Sequence, residues 1–208
     1  MYKENDTTIW LGYLKGGASK FDGSNFTHYN QQNQLGNATI ESITSNKNGT
    51  VFFSTSEKGI FCLRDNKFTN ITTKDGLSSN ITYSILADPF DENRLWVGTP
   101  KGLNLVKFDA HLKVKSVKNY TEENGLFGTS MGENLIMLDS HKNIWVGGAE
   151  GFSIFNPTLE RPNSAPPNLN LTNIRLYFQN VNWMEYTTKV DEKTGLPIEL
   201  KLDYKNQR

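Results

Sequence analysis

A short aromatic-bearing segment recurs four times along the chain: Ile9-Trp10-Leu11-Gly12, Val51-Phe52-Phe53-Ser54-Thr55, Leu95-Trp96-Val97-Gly98-Thr99 and Ile144-Trp145-Val146-Gly147-Gly148. The anchors Trp10, Phe52, Trp96 and Trp145 are spaced by 42, 44 and 49 residues. Each is followed by a glycine, Gly16 or Gly17, Gly59, Gly102 and Gly151, which for the last three leads into a short apolar run. A leucine in or beside a glycine turn, Leu35, Leu77 or Leu126, completes the unit. From anchor to leucine the steps are 25, 25 and 30, and from leucine to the next anchor 17, 19 and 19. The extra residues fall near 89–93, 110–115 and 128–132, where polar or small side chains dominate. Insertions confined to such loops are what a structural repeat tolerates.

Within a unit the pattern is that of strands. Segments 81–85, Arg94–Thr99, 103–108 and Val114–Tyr120 read as four successive strands, with Asp91-Glu92-Asn93, Pro100-Lys101-Gly102 and Asn124-Gly125 as turns. Asn48-Gly49 between two apolar runs is a hairpin signal. No segment sustains a 3.6-residue apolar period, so almost no helix is expected. Four antiparallel strands in ~40–45 residues, repeated, is the signature of a β-propeller blade. Such a blade is buried on both faces, and the large flat side chains, Trp96 and Trp145 included, are expected to wedge between neighbours. The glycines suit the tight turns between second and third strands.

The expected fold is therefore all-β: an incomplete β-propeller of about three and a half four-stranded blades over residues 1–157. The pattern opens at the second strand of a blade, with no first strand before Ile9, and the unit from Leu126 has three strands before Asn156-Pro157. The chain reads as a piece of a longer protein whose missing blades would cover its open face. Composition then changes. Residues 158–167 form a Pro-rich linker, and 168–208, with apolar Leu169, Leu171, Ile174, Leu176 and Phe178 and alternation over 198–204, reads as the first strands of a second all-β domain.

Composition excludes several functions. Lys plus Arg is 22 and Asp plus Glu is 22, which leaves no basic excess for a nucleic-acid partner. The single cysteine, Cys62, rules out an internal disulfide, and His28, His111 and His141 are too scattered for a metal site. No stretch approaches the ~20 apolar residues of a membrane helix, and the polar start Met1-Tyr2-Lys3-Glu4-Asn5-Asp6 is no signal peptide. No cofactor fingerprint is present.

Two runs carry a resemblance. Asp75-Gly76-Leu77-Ser78-Ser79-Asn80-Ile81-Thr82-Tyr83-Ser84-Ile85 and Leu95-Trp96-Val97-Gly98-Thr99-Pro100-Lys101-Gly102-Leu103 together resemble the two-component regulator propeller repeat. Trp145-Val146-Gly147-Gly148, Gly151-Phe152 and Phe155-Asn156-Pro157 resemble the last blade of that family's second propeller. Pro166-Pro167 and Leu171-Thr172 resemble the start of its Y_Y_Y domain, an immunoglobulin-like β-sandwich. The second unit departs from the pattern, with Phe52 for Trp, Ser54 for Gly and Ile60 for Leu. The resemblance implies a periplasmic, non-catalytic sensor fragment of a bacterial hybrid two-component system, tuned to polysaccharide breakdown products. The kinase would lie elsewhere in the parent, which could form a homodimer. The partners implied are the missing blades, the remaining Y_Y_Y strands and an oligosaccharide.

Other motifs have bland readings. Gly128-Thr129-Ser130-Met131-Gly132 matches a nucleophile elbow but lacks the helix that elbow needs. Ser45-Asn46-Lys47-Asn48-Gly49-Thr50-Val51-Phe52 resembles the Asp-box hairpin of sialidase-type propellers, a turn device, with Lys47 where that motif has aspartate. The pairs Glu122-Glu123 and Asp91-Glu92 lie in turns, and Cys62 reads as a small buried hydrophobe. No catalytic residue follows. His28, Tyr29 and Trp183 are candidates for a carbohydrate site, with ordinary surface or interdomain packing as the alternative. A propeller-scaffold carbohydrate-active enzyme and a protein-interaction or adhesion propeller are the competing functions.

Overall fold

A computed structural model describes residues 1–30, 35–128, 135–148, 151–159, 173–175 and 178–198. The chain divides into two compact units, Met1–Glu160 and Arg161–Arg208.

The first unit is four small antiparallel sheets in chain order, a propeller-like array. The first comprises β1 (Tyr2–Lys3), β2 (Ile9–Gly12), β3 (Ala18–Phe21) and β4 (Phe26–Tyr29). The second comprises β5 (Ile40–Ser45), β6 (Val51–Thr55), β7 (Ile60–Arg64) and β8 (Lys67–Ile71). The third comprises β9 (Ser84–Ala87), β10 (Arg94–Thr99), β11 (Gly102–Phe108) and β12 (Val114–Tyr120), and the fourth β13 (Ile136–Leu138), β14 (Ile144–Gly147) and β15 (Phe152–Phe155). Every sheet is a meander, each strand pairing with its chain neighbour.

The expectation of no strand before Ile9 is corrected. β1 pairs with β2, Tyr2 opposite Trp10 and Lys3 opposite Ile9. Two residues are too few for an alternation to show in sequence. The strand is fixed from outside, by the Tyr2 hydroxyl 2.9 Å from Ser45 Oγ of the second sheet and by Tyr2 packing into the core.

Alternation explains the packing. Successive strand residues face opposite sides, so a sheet covered on both sides must be apolar at every position. Along β6, Val51 and Phe53 join a core with Trp10, Leu35 and Ile40, while Phe52 joins the opposite core with Leu77, Leu95 and Val97. Along β11, Val106 and Phe108 enter that second core, and Leu103 and Leu105 enter a third with Trp96, Leu126 and Ile144. Each core thus fills the space between two consecutive sheets. Each also holds one anchor and the leucine after it: Trp10 with Leu35, Phe52 with Leu77, Trp96 with Leu126.

The anchors reach across these spaces. Trp10 lies edge-on to Phe53 of the next sheet at 5.3 Å, Phe52 stacks on Phe108 at 5.9 Å, and Trp96 packs against Phe155 at 6.0 Å. Trp145 differs from the expected wedge. It stacks on Phe152 of its own sheet at 5.1 Å and is only half-buried. By register Met137, Trp145 and Ile154 share one face, with Phe152 beside them, and no further sheet of the described residues covers it. Phe152 is 62% exposed and Met137 59%.

The links between sheets contain the leucines. In the second, Thr72 begins a 3-10 turn (Thr73–Asp75). Its amide donates to Asp75 Oδ2 at 2.9 Å, and Gly76 (φ 106°) reverses the chain so that Leu77 points into the core. The third link repeats this with Thr121, a turn at Glu122–Asn124, Gly125 and Leu126. Further 3-10 turns lie at Pro157–Leu159 and, in the second unit, Trp183–Glu185.

In the second unit the Asn182 side chain caps Trp183–Glu185 by accepting from the Met184 amide at 3.2 Å. Trp183 is buried, 5.9 Å from the Tyr186 ring, and an antiparallel bridge joins Val190 to Pro197. Most of the expected linker, most of the strand around 169–178 and all but the first residue of the one over 198–204 lie outside the described residues. So do positions 129–132 of the elbow-like motif.

Candidate functional site

The turns between second and third strands and the links between sheets meet at one end of the array. Their spacing is set by backbone bonds that repeat from sheet to sheet. The Gly17 amide donates to Ala38 O at 3.0 Å, and the equivalent Gly59 amide to Asn80 O at 2.8 Å. The Ile40 amide donates to Tyr13 O at 3.1 Å, and that of Thr82 to Thr55 O at 3.0 Å. Gly59 has φ 74°, and a methyl group there would overlap the Ile71 carbonyl oxygen, so this turn closes only with glycine.

The two seams differ in their filling. Between the second and third sheets, the buried Thr82 hydroxyl lies 3.1 Å from both Thr55 O and Gly59 O and accepts from the Thr55 amide at 2.9 Å. Beside it, Ser78, Thr99, Asn104 and Asn119 form a closed network with contacts of 2.8–2.9 Å. Between the first and second sheets Ile40 stands in the place of Thr82, and the hydroxyl of the residue before it, Thr39, accepts from the Lys15 amide at 3.0 Å.

At that first seam is a cavity of about 310 Å³ lined by Lys15, Asn37, Ala38, Thr39, Thr55, Ser56, Glu57 and Lys58. Its walls are held by backbone amides. The Lys15 amide donates to Thr39 Oγ1 at 3.0 Å, Ser56 N to Thr39 O at 3.2 Å, and Lys58 N to Thr55 Oγ1 at 2.9 Å. Lys58 Nζ lies 3.4 Å from where a side-chain carbon on Gly36 would stand, so its arm reaches over the first link. Among the described residues neither lysine ammonium pairs with a carboxylate.

Sequence reasoning missed these lysines. The signal is their recurrence just before the turn glycines: Lys15-Gly16-Gly17, Lys58-Gly59 and Lys101-Gly102. The residues it did single out are not brought together. His28 and Tyr29 are neighbours on β4 and face opposite ways. His28 is exposed, Nδ1 2.7 Å from Ser19 Oγ, with its ring parallel to Phe26. Tyr29 packs on Trp10 at 5.4 Å in the first core, and partial burial raises its phenol pKa. Trp183 is buried in the second unit. Cys62 is fully buried, and desolvation pushes its thiol up to about 12.

At the other end of the sheets, acids hold the anchors. Trp10 Nε1 donates to Glu4 Oε2 at 2.8 Å, Trp96 Nε1 to Asp88 Oδ2 at 2.9 Å and Trp145 Nε1 to Asp139 Oδ2 at 2.9 Å. The bond from Trp145 is the largest cause holding the Asp139 carboxyl down at about 2. In the second sheet Phe52 has no N–H to give, and the acid's place is taken by Asn46. Its Oδ1 caps the Thr50 amide at 3.0 Å and its Nδ2 donates to Glu92 O of the third sheet at 2.8 Å. The Asp-box-like segment is thus a turn that also clasps its neighbour, with the Lys47 amide donating to Glu92 Oε2 at 2.7 Å.

Among the described residues no group of three or more His, Cys, Asp or Glu could hold a metal ion. No described helix is long and apolar enough to cross a membrane.

No family model matches the chain, and no curated protein does. Solved structures do. The extracellular domain assigned to the hybrid two component system BT3049 from B. thetaiotaomicron is similar over 74% of this chain and 21% of its own, at 24% identity and a TM-score of 0.59. The extracellular domain assigned to the hybrid two component system BT4673 from the same organism is similar over 77% and 23%, at 21% identity and a TM-score of 0.58. The chain therefore spans about a fifth of the length of the structures it matches. At these identities the likeness is one of fold, and the fold is that of four consecutive antiparallel sheets packed face to face through aromatic anchors.

Proposed function

We propose that this chain belongs to the extracytoplasmic, ligand-sensing region of a bacterial hybrid two-component sensor and performs no catalysis itself. The observation that carries the reading is the likeness, over about three-quarters of the chain, to extracellular domains assigned to such systems. The repeat motifs around Leu77 and Trp96 that resemble the two-component regulator propeller agree with it. In this reading residues 1–157 are propeller blades, 158–167 a linker and 168–208 the start of a Y_Y_Y domain. The protein acts in the periplasm on an oligosaccharide released from a polysaccharide. Further sheets of the same repeat, in the longer parent, would cover the open face of Met137, Trp145, Phe152 and Ile154.

Calorimetric titration of the complete ectodomain with a panel of oligosaccharides tests the reading. Saturable binding of one glycan without its turnover is the expected result. Hydrolysis of the glycan would instead make the protein a carbohydrate-active enzyme, and no binding across the panel would remove the carbohydrate assignment.

A further inference from the structure

The cavity between the first two sheets carries an inference about ligand chemistry. Its lining combines two cations, Lys15 and Lys58, one anion, Glu57, and four neutral polar side chains, Asn37, Thr39, Thr55 and Ser56. The chain as a whole carries no net charge, so an excess of one positive charge in a single concavity is a local feature. Two like charges carried by the lining of one cavity repel, and a shared anion relieves that repulsion. The lysines come from turns of different sheets, Lys15 after β2 and Lys58 after β6, so only the packing of the sheets brings them together. Both turns are braced by bonds from the lysine amides to the Thr39 and Thr55 hydroxyls, which fixes where the lysine stems begin.

The seam is also open by construction. In the next seam the Thr82 hydroxyl and the Ser78–Asn104 network tie the link to both flanking sheets, whereas here the Thr39 hydroxyl accepts only from the Lys15 amide. Among the described residues the side chains of Asn37 and Ser56 make no hydrogen bond within the protein, so both are available to a ligand. A volume of about 310 Å³ is at the small end of ligand sites and suits one six-membered ring. No aromatic ring lines it, so recognition rests on charge and hydrogen bonds. With Glu57 in the wall, the balance fits a monoanion better than a doubly charged phosphate, and Glu57 itself can accept from a ligand hydroxyl.

We propose that this cavity binds a small hydroxylated carboxylate, a sugar acid in ring form, with its carboxylate between Lys15 and Lys58 and its hydroxyls on Asn37, Ser56 and Glu57. The inference rests on reading the chain as a ligand binder, but not on its place in a two-component system.

The test is an NMR titration of the full chain with three probes: glucuronate, glucose and acetate. Glucuronate should shift the amides of Lys15, Thr39, Ser56 and Lys58 saturably. Glucose supplies the hydroxyls without the charge and acetate the charge without the hydroxyls, and each should bind at least about tenfold more weakly. Lys58→Gln should weaken glucuronate by about tenfold. Lys58 is exposed, and an otherwise unchanged amide spectrum would verify that the fold is kept. Added salt should weaken glucuronate and leave glucose unaffected. Absence of saturable shifts at this seam, an equal response to glucose, or indifference to Lys58→Gln would each overturn the proposal. The Proposed function is tested separately. If Lys58→Gln weakens the glucuronate response while the ectodomain still binds a neutral oligosaccharide, the sensor reading and this site both stand, at different places. If the wild-type chain ignores glucuronate while that binding persists, this inference alone fails.

Discussion

Trp96 Nε1 donates to Asp88 Oδ2 at 2.9 Å, and both side chains are buried. The other carboxylate oxygen, Oδ1, accepts from the amides of Phe90 and Asp91 at 2.9 and 3.1 Å. One carboxylate therefore fixes the first turn of the third sheet and the anchor filling the next core. Asp88→Ala strands these donors without water and should cost about 2–4 kcal/mol in a urea melt. Asp88→Asn should cost less, since an amide oxygen still accepts. The second sheet combines Asn46 with Phe52, so Asp88→Asn together with Trp96→Phe should be less damaging than the sum of the single changes, by about 1 kcal/mol. Strict additivity would show that acid and indole are not coupled.

The anchors should rank by enclosure. Trp96→Ala empties a site closed on both sides and should cost about 3–5 kcal/mol. Trp145 has one face open, and Trp145→Ala should cost about 1–2 kcal/mol, measured in the same melt. Equal costs would mean that the fourth anchor is as enclosed as the others.

Acid should loosen the fourth sheet in a defined window. The Asp139 carboxyl is held down at about 2, chiefly by the Trp145 indole, with lesser help from the Asn143 amide and side chain, against the upward push of desolvation, which ranks second to the indole. A carboxyl whose folded value is depressed stabilises the fold above its ordinary value near 3.8, and loses that contribution as pH falls toward about 2. Trp145→Phe removes the largest cause and should move the Asp139 midpoint back up toward the ordinary range, read from its side-chain carbon shift in an NMR pH titration. An unmoved midpoint would assign the shift to the turn alone.

Cys62 should be inert in the folded chain. Its thiol is fully buried and, with burial holding its pKa at about 12, essentially no thiolate exists at neutral pH. Iodoacetamide should leave it unmodified in native buffer and label it completely in denaturant, as read by mass spectrometry. Rapid native labelling would mean that the second core opens readily.

The repeat was legible because its markers are packing residues. Anchor and leucine fill the same inter-sheet core in each of the three cores, so their spacing survives in sequence. β10 and β12 have the bounds their alternation predicts, Arg94–Thr99 and Val114–Tyr120. The strand expected over 81–85 instead begins at Ser84, because Thr82 is spent on the seam and bonds to Thr55 and Gly59. The acids that hold the indoles stand six to eight residues before their tryptophans, but a carboxylate in a turn looks solvated until the ring beneath it is placed. The cavity was illegible for a similar reason. Lys15 and Lys58 lie 43 residues apart, and only the stacking of two sheets turns them into one lining.

The uneven enclosure of the tryptophans gives the chain an internal optical gauge. Trp10 and Trp96 sit in dry surroundings and should emit at short wavelength whatever happens outside. Trp145 lies beside Phe152 with a side open to water, so its emission should be red-shifted, easily quenched by iodide, and should move blue when another surface settles over Met137 and Ile154.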